Sequence, residues 1–176
     1  SATASGECGI SLGCDTGGSI RIPAALCGVV GLKPTHDLLS MDGVVNASTS
    51  MDNIGPMARC VEDAAIVVAA VSNKPDTKGF EERKKEFEFI KNKKSSLKGV
   101  NIGIPREYFD VAMDSEVRQA TLRAIRDMEQ LGGNLVEVAW PLFPDSYPVS
   151  TIIAMTEMAE YHAGLLQTRA KDIWVP

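Results

Sequence analysis

A strand–helix–strand pattern in residues 100–140 limits the folds open to this chain more than any other feature. Residues 100–104 are a largely apolar run closed by Pro105, and residues 134–140 alternate apolar and polar positions. Between them, residues 115–131 repeat apolar side chains at spacings of three and four, which is typical of an amphipathic helix. Such a unit builds a parallel sheet with a right-handed crossover, so the pattern predicts an α/β fold.

The rest of the chain predicts further short elements. Apolar residues on nearly every side of the helix predicted at 58–72 indicate that it is buried. The other predicted elements are strands at 9–14, 29–32 and 44–45 and helices at 20–27 and 148–167.

Length and composition fit one folded domain. The chain has 176 residues, of which 44% are hydrophobic and 23% charged. We expect three segments, with residues 1–72 carrying a glycine-rich loop, residues 73–98 forming a charged linker, and residues 99–176 forming strand–helix–strand–helix.

Charge and hydropathy exclude several partners. The net charge of −5 gives no general attraction to nucleic acid or to an anionic membrane, so neither partner is expected. No apolar run approaches the length of a bilayer span, and the first residues lack the basic and apolar regions of a signal peptide. We therefore predict a cytoplasmic protein.

The stretch most suggestive of chemistry is Gly17-Gly18-Ser19, which follows the first predicted strand. Without a Cβ, paired glycines allow backbone N–H groups to converge on one point. A serine beside such donors is the arrangement that acyl transfer needs, with a nucleophile next to a site for the oxyanion. A glycine-rich turn with a solvated serine fits the same three residues.

Two other chemistries share parts of this motif. Asp15-Thr16-Gly17 is also the tripeptide of aspartic proteases, which need two facing aspartates and an all-β fold. The predicted helices argue against that fold. Nucleotide binding is disfavoured because the chain has neither the Walker pattern nor a Gly-x-Gly-x-x-Gly motif after a strand.

Longer matches distinguish among these interpretations. The run Asp15–Ala25 reads DTGGSIRIPAA and Cys27–Thr35 reads CGVVGLKPT, and together they closely resemble the signature of the amidase signature family. Residues 50–65 and 97–109 resemble later family segments, and residues 157–162 do so more weakly. The resemblance covers most of the chain.

This resemblance implies a mixed, mostly parallel sheet covered by helices, and an amidase in which Ser19 is the acylated nucleophile. Asp15 and Arg21 are expected to hold the loop rather than to transfer protons. No metal or cofactor is implied, because in the family a bridging serine relays the proton to a neutral lysine. The implied oxyanion hole consists of the backbone amides of Thr16, Gly17, Gly18 and Ser19.

The family's bridging serine and lysine belong upstream of the residues present here, and Lys33 matches a different family position. We therefore expect the chain alone to be inactive, a central part of an amidase domain that self-associates or binds the rest of that domain. A non-catalytic fragment or subunit is the alternative.

The expected substrate is a small-molecule amide. Ala159-Glu160-Tyr161-His162 looks more like the general amidases than the tRNA-dependent amidotransferase subunit, which stays as a further alternative. Asp37 stands where the family has glycine, and Met41 where a basic residue is usual. Both departures lie near the expected wall of the active site, so they bear on substrate choice.

The remaining reactive side chains are expected to be structural. His36 and His162 are predicted to be loop and packing residues, with a catalytic base as the alternative. The cysteines show no metal-binding spacing and are predicted to be reduced and buried, Cys27 in the core. They stand at positions 8, 14, 27 and 60.

Overall fold

The computed structural model describes residues 1–72 and 96–173. These residues divide into two compact units, one holding 1–72 and 150–173 and the other holding 96–149. The predicted charged linker, residues 73–98, lies outside the described residues except for its last three. The elements in chain order are α1 (Ala2–Ser5), β1 (Ile10–Asp15), α2 (Arg21–Cys27), β2 (Val30–Gly31), β3 (Asn53–Ala58), α3 (Val61–Val71), β4 (Asn101–Pro105), α4 (Arg106–Phe109), α5 (Ser115–Gln130), β5 (Asn134–Val138) and α6 (Phe143–Ile173).

The first unit contains a three-stranded antiparallel sheet in the order β1-β3-β2. Its central strand β3 pairs with β1 from Ile10↔Ala58 to Asp15↔Asn53. The α/β class is confirmed, but the expectation of a mostly parallel sheet is wrong for the described residues, where the larger sheet is antiparallel throughout. Strand β3 was not predicted from the sequence, because Gly55 and Pro56 in its middle are residues that disfavour strands.

Gly55 is required by the close approach of the next segment. A Cβ at this position would lie 2.1 Å from the carbonyl oxygen of Leu32 and 2.9 Å from Cδ of Pro34. Pro56 keeps its place in the sheet because its carbonyl, which proline retains, accepts a hydrogen bond from the Leu32 amide at 3.0 Å. Both residues therefore bind the strand to the chain that follows β2.

The second unit confirms the strand–helix–strand prediction. Strands β4 and β5 are parallel, in register from Asn101↔Asn134 to Pro105↔Val138, and helix α5 connects them. Asp114 caps this helix, its side chain accepting a hydrogen bond from the Glu116 amide. The helix ends at Gln130, and Gly132 shortly after it has a φ of 96°, a left-handed conformation that glycine adopts without strain.

Several boundaries and burial predictions differ from the structure. Helix α3 begins at Val61 rather than at the predicted position 58, which belongs to β3. It is not buried all round, since Ala64 and Val67 are its buried residues and Val61 is 65% exposed. Residues 44–45 are not in a strand. Helix α6 starts five residues earlier than the predicted 148, and it is irregular at Arg169, where φ is −136°.

The cysteine prediction is wrong with respect to burial. All four cysteines are free, but Cys27 is exposed and the other three are only half-buried. Helix α2 buries Ala24 and turns its outer face to solvent, so that Leu26 is 83% exposed and Cys27 follows it at the helix end. The apolar residues of this run therefore do not indicate which face of helix α2 is buried.

Candidate active site

A five-residue loop joins the end of β1 at Asp15 to the start of α2 at Arg21. Gly18 lies in this loop with a φ of 139°, a backbone conformation that residues with a Cβ rarely adopt. A Cβ here would also lie 2.6 Å from Cδ1 of Ile22. The carbonyl of Gly18 accepts the Ile22 amide at 2.7 Å, which ties the loop to the first turn of the helix.

Asp15 anchors the loop from inside. Its side chain is fully buried, and Oδ2 accepts hydrogen bonds from the Ile20 amide at 3.2 Å and from Arg21 Nε at 3.0 Å. Oδ1 accepts a third bond from Arg21 Nη2 at 2.9 Å. The carboxylate thus spans the loop, holding its far end against the strand from which the loop leaves.

The electrostatics of Asp15 follow from these bonds. Burial by itself would raise the pKa of the Asp15 carboxyl, but the hydrogen bonds from Arg21 and Ile20 and the Arg21 charge outweigh it. The pKa of Asp15 is therefore held below its ordinary value. The hydrogen bond to Asp15 raises the pKa of Arg21 in turn. Both side chains are charged at neutral pH, and neither can readily exchange a proton.

A second carboxylate holds the near end of the loop. Asp52 is 2% exposed, and its Oδ1 accepts a hydrogen bond from the Thr16 hydroxyl at 2.5 Å. The antiparallel register explains the meeting, because Asp15 pairs with Asn53 and the next residues outward, Thr16 and Asp52, face each other. The loop is thus fixed at both ends by buried aspartates.

Ser19 lies between these two anchors and is exposed. Among the described residues, no partner lies within hydrogen-bonding distance of its hydroxyl, and none accepts from the amides of Gly17, Gly18 or Ser19. The following amide, of Ile20, is by contrast engaged by Asp15. A free hydroxyl therefore stands beside three successive backbone donors that have no acceptor in the described part of the protein.

A cluster of hydrogen bonds extends from this site to helix α6. Oδ2 of Asp52 accepts the amides of Ala47 and Ser48 at 2.7 and 3.1 Å. The buried Ser48 hydroxyl donates to Oε2 of Glu157 at 2.5 Å. Ser50 adds two more bonds to Glu157, from its amide at 3.0 Å and its hydroxyl at 2.6 Å.

The structure therefore brings most of the sequence-predicted site residues together in one loop. It does not bring the other candidates to Ser19. His36 contacts Asp37 at 3.2 Å, His162 packs edge-on against Tyr161, and Lys33 donates to the carbonyl of Pro34. None of the three is a hydrogen-bond partner of Ser19 in the described residues.

Asp52, Ser48 and Glu157 received no role in the sequence reasoning. The contact between Asp52 and Thr16 could have been predicted if the pairing of β1 with β3 had been known. Thr16 directly follows β1 and Asp52 directly precedes β3, so the antiparallel register places them side by side. No local pattern announces the contact between Ser48 and Glu157, which lie 109 positions apart. Their meeting depends on tertiary packing alone.

The described residues contain neither a metal cluster nor a membrane span. No group of three or more histidine, cysteine, aspartate or glutamate side chains in residues 1–72 and 96–173 is arranged to hold a metal ion. No helix in these ranges is both long and apolar enough to cross a membrane.

Comparison with known proteins gives consistent matches. A family model described as Amidase matches residues 1–174. One of the subunits of glutamyl-tRNA(Gln) amidotransferase from Thermodesulfovibrio yellowstonii is 42% identical over 178 aligned positions, which cover 98% of this chain and 37% of the relative. The chain thus spans little more than a third of the curated relatives that it matches.

Solved structures agree. The corresponding glutamyl-tRNA(Gln) amidotransferase subunit from Thermotoga maritima superimposes with a TM-score of 0.76 at 31% identity, covering 98% of this chain and 39% of the other. A peptide amidase from Stenotrophomonas maltophilia superimposes with a TM-score of 0.67 at 25% identity, over 97% of this chain and 39% of the amidase.

Proposed function

This chain belongs to the amidase signature family, and we propose that Ser19 is the nucleophile with which the complete protein cleaves a carboxylic amide. The observation that carries the proposal is the exposed Ser19 hydroxyl beside the unengaged amides of Gly17, Gly18 and Ser19. Backbone N–H groups in a loop whose two ends are held by Asp15 and Asp52 are suited to an oxyanion, because preorganised donors need little reorganisation when the negative charge develops.

The first chemical step is attack by Ser19 Oγ on the amide carbonyl carbon. The C–O bond forms, the carbonyl oxygen becomes an oxyanion beside the loop amides, and the serine gives up its proton. Collapse of this intermediate breaks the C–N bond, and the leaving nitrogen takes up a proton. An ester on Ser19 remains, which water hydrolyses or an amine or ammonia intercepts.

The base for this step belongs, by resemblance to the family, to a bridging serine and a lysine upstream of the matched stretch. Consistent with that assignment, His36, His162 and Lys33 are engaged elsewhere in the described residues. Asp15 and Arg21 act as positioning residues, because their charges are committed to each other and to the Ile20 amide. Thr16 completes the donor set by resemblance.

Labelling with a fluorophosphonate tests the nucleophile. The complete protein should be labelled on the peptide that contains Ser19, and Ser19→Ala should remove the label. Ser146→Ala is the matched control, because Ser146 is also exposed but bonds to the carbonyl of Phe143. Labelling of Ser19→Ala equal to that of the wild type would refute the assignment.

A second candidate function is amide transfer in a tRNA-dependent amidotransferase. The curated relatives favour it, since the first ones are all named as the same subunit of glutamyl-tRNA(Gln) amidotransferase. The peptide amidase neighbour favours simple hydrolysis instead. Ammonia release from small amides in the absence of tRNA and other subunits would support the hydrolase. Release that requires glutamine together with the misacylated tRNA would support the transferase.

We propose that residues 1–176 alone are not a competent enzyme, because the resemblance to the family assigns the proton-transfer partners of Ser19 to other parts of the domain. Large apolar residues on the surface of the first unit, such as Leu26 and Val61, favour self-association of the isolated chain or binding to the rest of the domain. Light scattering and an amide assay on residues 1–176 test this. A stable monomer that turns over amides, and loses the activity with Ser19→Ala, would contradict it.

A further inference from the structure

We propose that Glu157 on helix α6 is a positioning residue for the loop that carries Ser19, acting through Ser48, Asp52 and Thr16. The inference rests on the proposed role of Ser19 and deepens it. It extends the machinery of the reaction beyond the loop itself to a helix more than a hundred positions later in the chain.

The first link is the Glu157 carboxylate, which accepts several hydrogen bonds from one short segment, residues 48–50. Glu157 accepts the hydroxyls of Ser48 and Ser50 and the amide of Ser50 at 2.5–3.0 Å. These bonds lower the pKa of Glu157 to about 2, the Ser48 and Ser50 hydroxyls being the largest causes. Glu157 is therefore ionised throughout the range in which an amidase would work, and it holds the segment as an anion.

The second link runs through Ser48, which donates to two carboxylates at once. Its hydroxyl bonds to Glu157, and its amide bonds to Oδ2 of Asp52 at 3.1 Å. The same segment closes on itself, since the Asp52 amide donates to the Ser48 carbonyl at 2.9 Å. Because Ser48 is fully buried, a change in its position cannot be absorbed by solvent and must be transmitted to Asp52.

The third link reaches the loop. Asp52 uses Oδ2 for the segment and Oδ1 for the Thr16 hydroxyl, so its orientation depends on both groups of donors. Thr16 immediately precedes Gly17, the first of the three unengaged amides. A rotation of Asp52 therefore changes where the peptide units of Thr16 and Gly17 point, and these units would hold the oxyanion.

This geometry predicts a specific kinetic effect. Misplacing a preorganised donor lowers stabilisation of the transition state but leaves ground-state binding nearly intact. Glu157→Gln removes the negative charge and replaces one carboxylate oxygen with an N–H donor, so the charge-assisted bonds weaken and one serine hydroxyl must turn from donor to acceptor. We expect acylation of Ser19 to slow by about 10-fold or more, within the range that a misplacement of about 1 Å causes, with KM changed less than about 2-fold.

The test is a double-mutant cycle in the complete protein, with kcat, KM and the rate of fluorophosphonate labelling at Ser19 as readouts. Thr16→Val removes the hydroxyl that Asp52 holds, and Glu157→Gln removes the carboxylate at the other end. If the two act along one chain of contacts, Glu157→Gln should slow Thr16→Val by less than about 3-fold. Glu160→Gln, one turn farther on the same helix and exposed, is the matched control and should match the wild type.

The outcomes separate this inference from the proposed function. A wild-type protein that is not labelled at Ser19 contradicts the proposed function, and this inference fails with it. Labelling of Ser19 at the same rate in wild type and Glu157→Gln overturns the inference alone, as do fully additive effects in the cycle. If Glu157→Gln fails to fold, Ser50→Ala removes one of the three short bonds and should slow labelling about 3-fold; no slowing would contradict the inference.

Discussion

Asp15 and Arg21 form a two-bond ion pair in which the carboxylate is fully buried while the guanidinium side chain is 53% exposed. The pair connects the last residue of β1 with the first residue of α2, so it closes the loop that carries Ser19. Altering the buried Asp15 is expected to cost more than altering Arg21. Water can solvate the partly exposed guanidinium, but it cannot reach the donors around the buried carboxylate.

Asp15→Asn should therefore destabilise the protein by about 2–4 kcal/mol, because the asparagine NH2 group would face donors and leave buried groups unsatisfied. Acylation of Ser19 should slow by about 10²–10³-fold, as after loss of one oxyanion donor. Denaturant unfolding and fluorophosphonate labelling measure the two effects.

The matched control is Asp42→Asn, which neutralises an exposed carboxylate and should change stability by less than about 0.5 kcal/mol. Should Asp15→Asn instead leave stability unchanged and abolish a peptidase activity at acid pH, the aspartic-protease interpretation of Asp15-Thr16-Gly17 would replace the amidase one.

Gly55→Ala should destabilise the protein by about 3 kcal/mol, because the new methyl group would lie 2.1 Å from the backbone oxygen of Leu32. Backbone cannot move aside as a flexible side chain can, so β3 and the segment after β2 must separate. Gly9→Ala is the control, since no atom lies within 4 Å of its Cβ position. Equal free energies of unfolding for the two variants would contradict the proposed close packing.

Asp37→Gly should stabilise the protein by about 1 kcal/mol. Asp37 has a φ of 62°, and among the described residues no other non-glycine residue has a positive φ. A positive φ of this size is one that glycine adopts without strain, and the resemblance to the family implies a glycine at this position. Asp42→Gly, at a residue without positive φ, should lower the free energy of unfolding by comparison. A destabilised Asp37→Gly would show that the aspartate side chain contributes more than its backbone strain costs.

The contacts of Glu157 predict a dependence on acid pH. Its pKa is about 2 in the folded protein against an ordinary value of 4.5, so the unfolded chain binds the proton first as the pH falls. The stabilisation from Glu157 should be complete above about pH 4.5 and should disappear as the pH falls towards about 2.

Unfolding curves of wild type and Glu157→Gln between pH 6 and pH 2 (a range of about four units around these pKa values) measure this contribution. The difference in stability should shrink as the pH falls, whereas the shared contribution of Asp15 cancels. If the difference in the free energy of unfolding between wild type and Glu157→Gln stays constant with pH, the ionised Glu157 carboxylate does not stabilise the hydrogen-bond cluster.

Local sequence predicted the elements whose causes are local. The periodicity of residues 115–131 and the apolar runs on either side were sufficient for β4, α5 and β5, and the glycine pair placed the loop between β1 and α2. The antiparallel sheet was not predictable in the same way. Strand β3 pairs with β1 across about forty positions. Gly55 and Pro56 are residues typical of turns, and the reason for Gly55, the close approach of the Leu32 backbone, is visible only in the folded protein.

The candidate site divides along the same line. Asp15, Arg21 and the glycine-rich loop are contiguous, so their association could be proposed from the sequence, and the structure shows the bonds between Asp15 and Arg21. Asp52 depends on strand register, and Glu157 depends on the packing of α6, neither of which a sequence pattern encodes. The role of Ser19 itself is still a proposal.

Trapping the acyl-enzyme tests that role most directly. The complete protein should be mixed with an amide substrate, quenched in acid during the steady state, digested and analysed by mass spectrometry. We predict that the acyl group of the substrate appears on the peptide containing Ser19, and that Ser19→Ala shows none. Turnover of the amide with no acyl group on Ser19, or an acyl group that persists on another residue in Ser19→Ala, would contradict the account.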